Sequence, residues 1–389
     1  MATKRVMAAL LAGMGLLNSA YGDTALEQKI TILSEEMDKL RAQVEKQQSS
    51  SATGHGSGAG ATTLGGYGEL HFNNLENRKD RSNQDEIDFH RFVLFVGHRF
   101  SESIRFYSEL ELEHAFIEDN TGGKGSPGEV ELEQAYVEFD LNQALSAKGG
   151  LFLVPVGIIN ETHEPPTFYG VERNNVEKNI IPATWWEGGA AATAALGAGF
   201  KADLAYHSGL KVGSDFKIRD GRQKVASAQA NDPAYTGRIK WTGIPGFEWA
   251  LSVVHQQDIG QGLVANLGRA NLYESHVVVN RGPFGVRALY AQWDLAGSAP
   301  AAVGADKQYG YYVEPSLRFN KQWGVFTRYS KWDTQAHDTV DSAMRQFDVG
   351  VNYWPHPQVV IKADIQNQKA PLASVNEYDG FNLGVGYMF

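Results

Sequence analysis

The 389-residue sequence contains no cysteine, which excludes disulfides, thiolate metal sites and cysteine nucleophiles. It also lacks an excess of positive charge. Lys and Arg number 35 against 45 Asp and Glu, a formal charge of −10, and that balance argues against a nucleic-acid partner. Mean hydropathy is only −0.33. A helical membrane protein would score higher, but a membrane β-barrel scores like a soluble chain because half of each strand faces water. From Leu64 onward no segment carries a helical period. Nor is there a G-x-S-x-G, and Ser252 and His255 are scattered without a third orienting group, so no enzyme constellation is assembled.

What is present begins with a leader. Lys4 and Arg5 precede an apolar stretch from Val6 to Leu17 and the small residues around Ala20 and Gly22. This reads as a secretory signal over residues 1–22, too short to span a membrane. Its loss removes two positive charges and takes the formal charge from −10 to −12. Residues 23–48 carry Leu26, Ile30, Leu33, Met37, Leu40 and Val44 at alternating steps of four and three. That spacing is the a/d seam of a short coiled coil; a solvated single helix is the other reading. A polar linker, 49–62, follows.

Residues 63–389 read as one β domain. The chain ends EYDGFNLGVGYMF, with Phe381, Leu383, Val385, Tyr387 and Phe389 apolar or aromatic at every second position, the period of a strand with one greasy face. QYGYYVEPSLRFN, MRQFDVGVNYWP and QVVIKADIQN repeat the pattern. FHRFVLFVGHRF and EVELEQAYVEFDL are ambiguous in phase, as a β-bulge would make them. Roughly sixteen strands are expected, starting near 64, 85, 103, 129, 149, 187, 198, 233, 246, 269, 284, 307, 322, 344, 357 and 379. Tight turns alternate with long polar connections such as 209–232, 258–268, 296–306 and 334–343. Long loops on one edge and short turns on the other are the plan of an outer-membrane barrel. The expected fold is all-β: a transmembrane antiparallel barrel whose last strand pairs with the first and leaves no edge. Trp323, Phe319, Tyr353, Trp354 and Phe389 are expected in the aromatic girdles.

On the leader, the coiled segment, GYGELHFN, the long loop-bearing stretch and the final GVGYMF, the chain resembles Gram-negative porins, and among them the phosphate-selective porin O and P family. The resemblance implies a homotrimer of sixteen-stranded barrels in the cell outer membrane, with the third external loop folded into each pore. It also implies recognition by the barrel assembly machinery through the strand ending in Phe389. The arginine ladder and lysine cluster of the phosphate-selective members cannot be assembled from this sequence.

The third external loop, INETHEPPTFYGVERNNVEKNIIPATWWEGG, offers Glu161, His163, Glu164, Glu172 and Arg173 to the lumen, along with Glu177 and Lys178. His163 and Glu164 alone supply too few ligands for a metal; no metal and no cofactor are expected. Strand parity sends Arg105, Glu109, Glu111 and Glu113 inward from an early strand, and Arg238, Lys240, Arg287, Arg318, Arg328 and Lys362 from later ones. Acidic and basic rows facing each other across a pore make a transverse field that screens solutes by charge. Solvated lumen residues without such a role are the alternative. The function read from the sequence is a porin passing small hydrophilic, charged solutes by passive diffusion. A closed-lumen barrel for ligand binding or adhesion is the competing reading.

Overall fold

The computed structural model describes residues 60–80, 82–117, 128–371 and 376–389; the leader, the heptad segment and nearly all of the linker lie outside them. Sixteen strands form the domain. The first quarter is β1 (Thr62–Asn77), β2 (Gln84–Arg99), β3 (Ile104–Glu113) and β4 (Val130–Asp140). Then come β5 (Leu145–Leu153), β6 (Trp186–Gly197), β7 (Phe200–His207) and β8 (Ala234–Trp241). They are followed by β9 (Phe247–Gln256), β10 (Ala270–Arg281), β11 (Phe284–Leu295) and β12 (Lys307–Arg318). β13 (Trp323–Asp333), β14 (Met344–His356), β15 (Val359–Lys369) and β16 (Tyr378–Met388) complete the set. Every strand pairs antiparallel with its sequence neighbours, and β16 pairs with β1 to close the barrel.

The closure explains the apolar C-terminus. Phe72 lies opposite Leu383, and Phe389 exchanges backbone hydrogen bonds with Gly66 at 2.8 and 2.9 Å. Along β16 the apolar Phe381, Leu383 and Val385 are exposed, while Asn382, Gly384 and Gly386 are buried. Exposed apolar and buried polar positions invert the soluble pattern, as a lipid-facing wall around a polar lumen requires. No helix among the described residues is long and apolar enough to cross a membrane; the strands make the crossing.

Aromatic pairs gather at both ends of the wall. Trp323 stacks on Tyr353 at 4.4 Å near the turn end, and Tyr206 meets Tyr235 at 5.3 Å near the loop end. Trp354 departs from the girdle expected of it. Neighbouring Tyr353 faces out, so Trp354 points inward, where it is 5% exposed and contacts the third loop. The two segments of ambiguous phase do contain bulges: the register shifts opposite Glu69–His71 in β2 and opposite Glu109–Leu110 in β4. In β4 the extra residue is Glu133, which lets Glu131, Glu133 and Gln134 all be buried on the inner face while Leu132 is exposed.

Candidate functional site: the lumen and its third loop

The connection between β5 and β6, residues 154–185, turns back into the barrel. Past the 3₁₀ turn Pro165–Thr167 its backbone is irregular as far as Gly170, and every buried carbonyl along this tip needs a donor. Strands β11 to β15 supply one for each of five successive carbonyls. Trp354 Nε1 donates to Pro166 at 3.3 Å, Arg287 to Thr167 at 2.7 Å and Asn352 to Phe168 at 3.1 Å. Arg328 donates to Tyr169 at 3.4 Å and Lys362 to Gly170 at 2.8 Å. The next amide, Val171 N–H, donates to Asp364 at 2.6 Å. Gly386 makes room for this tip, since a Cβ there would collide with that of Pro165.

The other arm of the loop is held by apolar packing. Val176, Ile180, Ile181 and Trp185 are fully buried against inward residues such as Leu272, Leu289 and Trp293. Burying each large side chain contributes about 1.5–3 kcal/mol. Trp293 Nε1 also donates to Ile180 O at 2.7 Å. The fourth loop adds Leu210, Val212 and Phe216 to the same cluster. Glu177, expected to be offered to the pore, is instead a staple. Its carboxylate accepts from the Ile158 and Ile159 amides at 2.8 and 2.7 Å and from the Tyr312 hydroxyl at 2.7 Å. Burial pushes this carboxyl up, with those donors pulling the other way.

Between the loop and the β1–β5 wall lie two polar cavities. The one toward the loop end, about 120 Å³, is bounded by Glu69, Glu113, Glu131 and Glu133 on the wall and by Arg173, Lys178, Arg219 and Arg222 on the third and fourth loops. Burial and the neighbouring Arg222 and Arg173 charges push the Arg219 guanidinium down to about 9, so it remains cationic at neutral pH. The cavity toward the turn end, about 230 Å³, is lined by Tyr107, Glu109, Gln134, Lys148, Glu161 and Glu164. Burial pushes the Glu164 carboxyl up.

The sequence-selected residues therefore divide. Glu109, Glu111 and Glu113 share one inner face, and Arg173 faces the same cavity as Glu113. His163 comes from the loop to meet Glu109 at 3.1 Å. Glu172 contacts His71 at 2.9 Å; burial works to raise its carboxyl, and the His71 charge overrides it, holding it well below the usual carboxylate range. Arg105 is tied to Glu138 and Asp140 at 3.0 and 2.6 Å, near the turn end. Lys240 pairs with Glu248 at 3.5 Å. Arg238 is clamped between Asp203, at 2.7 Å, and Glu161 of the loop. Against the cost of burial, Arg238 and Lys240 hold the Glu161 carboxyl down to about 2. Arg328 is 4% exposed, between Glu314 at 3.1 Å and Asp348 at 3.0 Å. Arg238, Arg287 and Arg328 thus anchor the loop, and the cations facing the acidic wall come from loops.

Several residues escaped the sequence. Glu69 and His71 sit in GYGELHFN and follow from its alternation; Arg91, 2.8 Å from Glu69, and Glu133 were hidden by the two bulges. Arg219 and Arg222 lie in a loop where no periodicity operates.

Comparison with known proteins places this geometry. The fold matches an anion-selective porin from Comamonas acidovorans, with a TM-score of 0.60 and 14% identity over 85% of this chain and 99% of that one. It matches the outer membrane channel DcaP of Acinetobacter baumannii, with a TM-score of 0.60 and 14% identity over 87% of this chain and 100% of that one. Another match is in-vitro folded OmpT of Vibrio cholerae in its trimer form, with a TM-score of 0.54 and 8% identity over 85% and 100% of the two chains. The architecture is a porin-like, outer-membrane type of β-barrel. No family model matches the chain. The chain belongs to the same family as an uncharacterized protein of Aquifex aeolicus (strain VF5), 32% identical over 352 residues that span 78% of this chain and 74% of that protein.

Proposed function

We propose that this protein is an outer-membrane porin, a water-filled channel for passive diffusion of small hydrophilic, charged solutes, and not an enzyme. The observation that carries the reading is the third loop anchored inside the barrel, with two polar cavities left between it and the acidic β1–β5 wall. A charged, narrow passage passes hydrated solutes and screens them by charge. The homotrimer, the cleaved leader, the coiled segment at residues 23–48 and delivery by the barrel assembly machinery belong to this proposal. So does kinship with the phosphate-selective porin O and P family. Phosphate selectivity is left out, because Arg238, Arg287 and Arg328 are engaged by carboxylates and loop carbonyls.

The burial of Glu109, Glu133 and His163 between loop and wall favours the second reading, a closed lumen used for ligand binding or adhesion. Single-channel recording of the purified protein in planar bilayers, with the reversal potential in a salt gradient, decides between them. Stepwise, ohmic conductance supports the porin. Insertion without conductance overturns it in favour of the closed lumen.

A further inference from the structure

Three groups of His and carboxylate residues among the described residues bring their potential ligand atoms within 4.8 Å of one another. Their occupants differ. Glu113, Glu129 and Glu131 surround the Lys224 ammonium, which contacts both Glu129 and Glu131. In His71, His90 and Glu172 the His71 ring bridges two carboxylates, Nδ1 at 2.9 Å from Glu172 and Nε2 at 3.2 Å from Glu69. The third group, Glu109, Glu133 and His163, has no Lys or Arg in ion-pair contact with its carboxylates; their only ion-pair partner among the described residues is His163 itself.

That third group is arranged as ligands are. His163 Nδ1 lies 3.3 Å from Asn160 O. A carbonyl only accepts, so Nδ1 carries a proton, which leaves Nε2 to hold either a second proton or a metal ion. Nε2 faces Glu109 Oε1 at 3.1 Å and Glu133 Oε2 at 3.7 Å. A lone pair aimed at two carboxylate oxygens is repulsive unless a positive charge stands among them. Gln134 donates to Glu109 Oε2 at 2.7 Å, which turns Oε1 toward the ring. Carbonyl-to-imidazole and amide-to-carboxylate bonds of this kind are the outer support that orients metal ligands. Glu133 Oε2 is buried, 3.7 Å from the ring nitrogen, and has no hydrogen-bond partner; Glu133 itself is 2% exposed. Its inward direction is the work of the β4 bulge, a device that re-aims side chains beside functional sites. Glu111, two residues from Glu109 on the same face of β3, has no hydrogen bond to either oxygen but lies 3.6 Å from the Arg91 guanidinium, so it belongs to Arg91 and not to this group.

We propose that Glu109, Glu133 and His163 form a binding site for a first-row divalent cation where the third loop meets the β3–β4 wall. One imidazole and two carboxylates, with no thiolate, suit ions such as Zn²⁺. A bound ion would pin the loop to the wall beside the polar cavities.

Isothermal titration of the purified protein in detergent with ZnCl₂ at pH 7.5 tests the site. Other histidines can also take zinc, so the readout is the number of equivalents relative to variants. Glu133→Gln and His163→Ala are each expected to lose one equivalent, or to weaken it at least about tenfold. His255→Ala, remote in sequence and held by Asn271, is expected to change nothing. Equal zinc stoichiometry and affinity in wild type, Glu133→Gln and His163→Ala would overturn the proposal and leave a proton on His163 as the bridging charge. If His163→Ala does not refold, the near-isosteric Glu133→Gln carries the comparison. Calorimetry reads binding whether or not the barrel conducts, so failure here is distinct from failure of the channel reading.

Discussion

From β8 to β13 the inward positions include Ala234, Val254, Leu272, Leu289, Trp293 and Trp332, all buried under loops. From β1 to β4 they include Glu69, His71, Arg91, Glu109, Glu111 and Glu133. Both sets face the lumen by the same two-residue alternation, except Glu133, which the β4 bulge turns inward. In the first half the apolar positions form a dry core on which the third and fourth loops dock, beside buried charges such as Arg238, Glu274 and Arg328, and the second half keeps polar cavities. Inward is therefore not the same as wet in this barrel. The apolar half, with the donors of β11–β15, fixes where the loop stands. The charged half keeps the two polar cavities.

The largest expected effect comes from breaking the dry half. Trp293→Ala removes a 1%-exposed indole and its bond to Ile180 O, a loss of about 3–5 kcal/mol. It should lower the temperature at which the folded species disappears on a denaturing gel. Glu111→Gln on the opposite wall should move that temperature far less. Equal shifts would mean that the two halves do not differ in the way described.

Next is the loop tip. The double variant Arg287→Gln, Lys362→Met removes two charged donors to loop carbonyls, each such bond contributing about 1.5–3 kcal/mol. A displaced-loop state should then be populated at least about tenfold more, since 1.4 kcal/mol is a factor of ten. The expected sign is larger, noisier single-channel current with the barrel still folded. Unchanged current would show that the carbonyl ladder does not hold the tip.

The charged half is probed by selectivity. Arg173→Gln should shift the reversal potential toward cations and Glu111→Gln toward anions. Both shifts should fade at 1 M salt, where the screening length falls from about 8 Å to roughly 3 Å. Arg328→Gln should barely change selectivity, because its guanidinium is enclosed by Glu314 and Asp348. A large Arg328 effect with a silent Arg173 would reverse the assignment of the field to loop cations.

The smallest effect concerns pH. The Glu161 carboxyl is depressed from 4.5 to about 2 in the folded protein. Its contribution is therefore fully present above pH 4.5 and is lost as pH falls toward 2. Melting temperature should be insensitive to this group from pH 7 to 5 and decline below. Glu161→Gln should flatten that acid limb, and an unaltered limb would place the sensitivity elsewhere.

The strands were legible because each carries its own period. EYDGFNLGVGYMF shows a lipid-facing row whatever it pairs with, and fifteen of sixteen starts fall within two residues of expectation, with β5 beginning at Leu145 instead of 149. Long loops alternating with tight turns likewise define the two ends of a barrel. Inward charge at Glu109 or Arg328 followed from the same parity. What parity could not carry was the use made of each charge. Trp354 and Glu177 read as girdle and pore residues and became loop anchors, because a side chain's neighbours across the lumen are set by a loop that has no period. The β2 and β4 bulges hid Arg91 and Glu133, since one extra residue reverses the faces beyond it. Local alternation, a property of the backbone, determined the wall and its two sides. The meeting of His163 with Glu109, 54 positions apart in sequence, and the division of the lumen into dry and charged halves required the closed barrel. Only closure brings a loop from β5 against β3, β4 and β11–β15 at once.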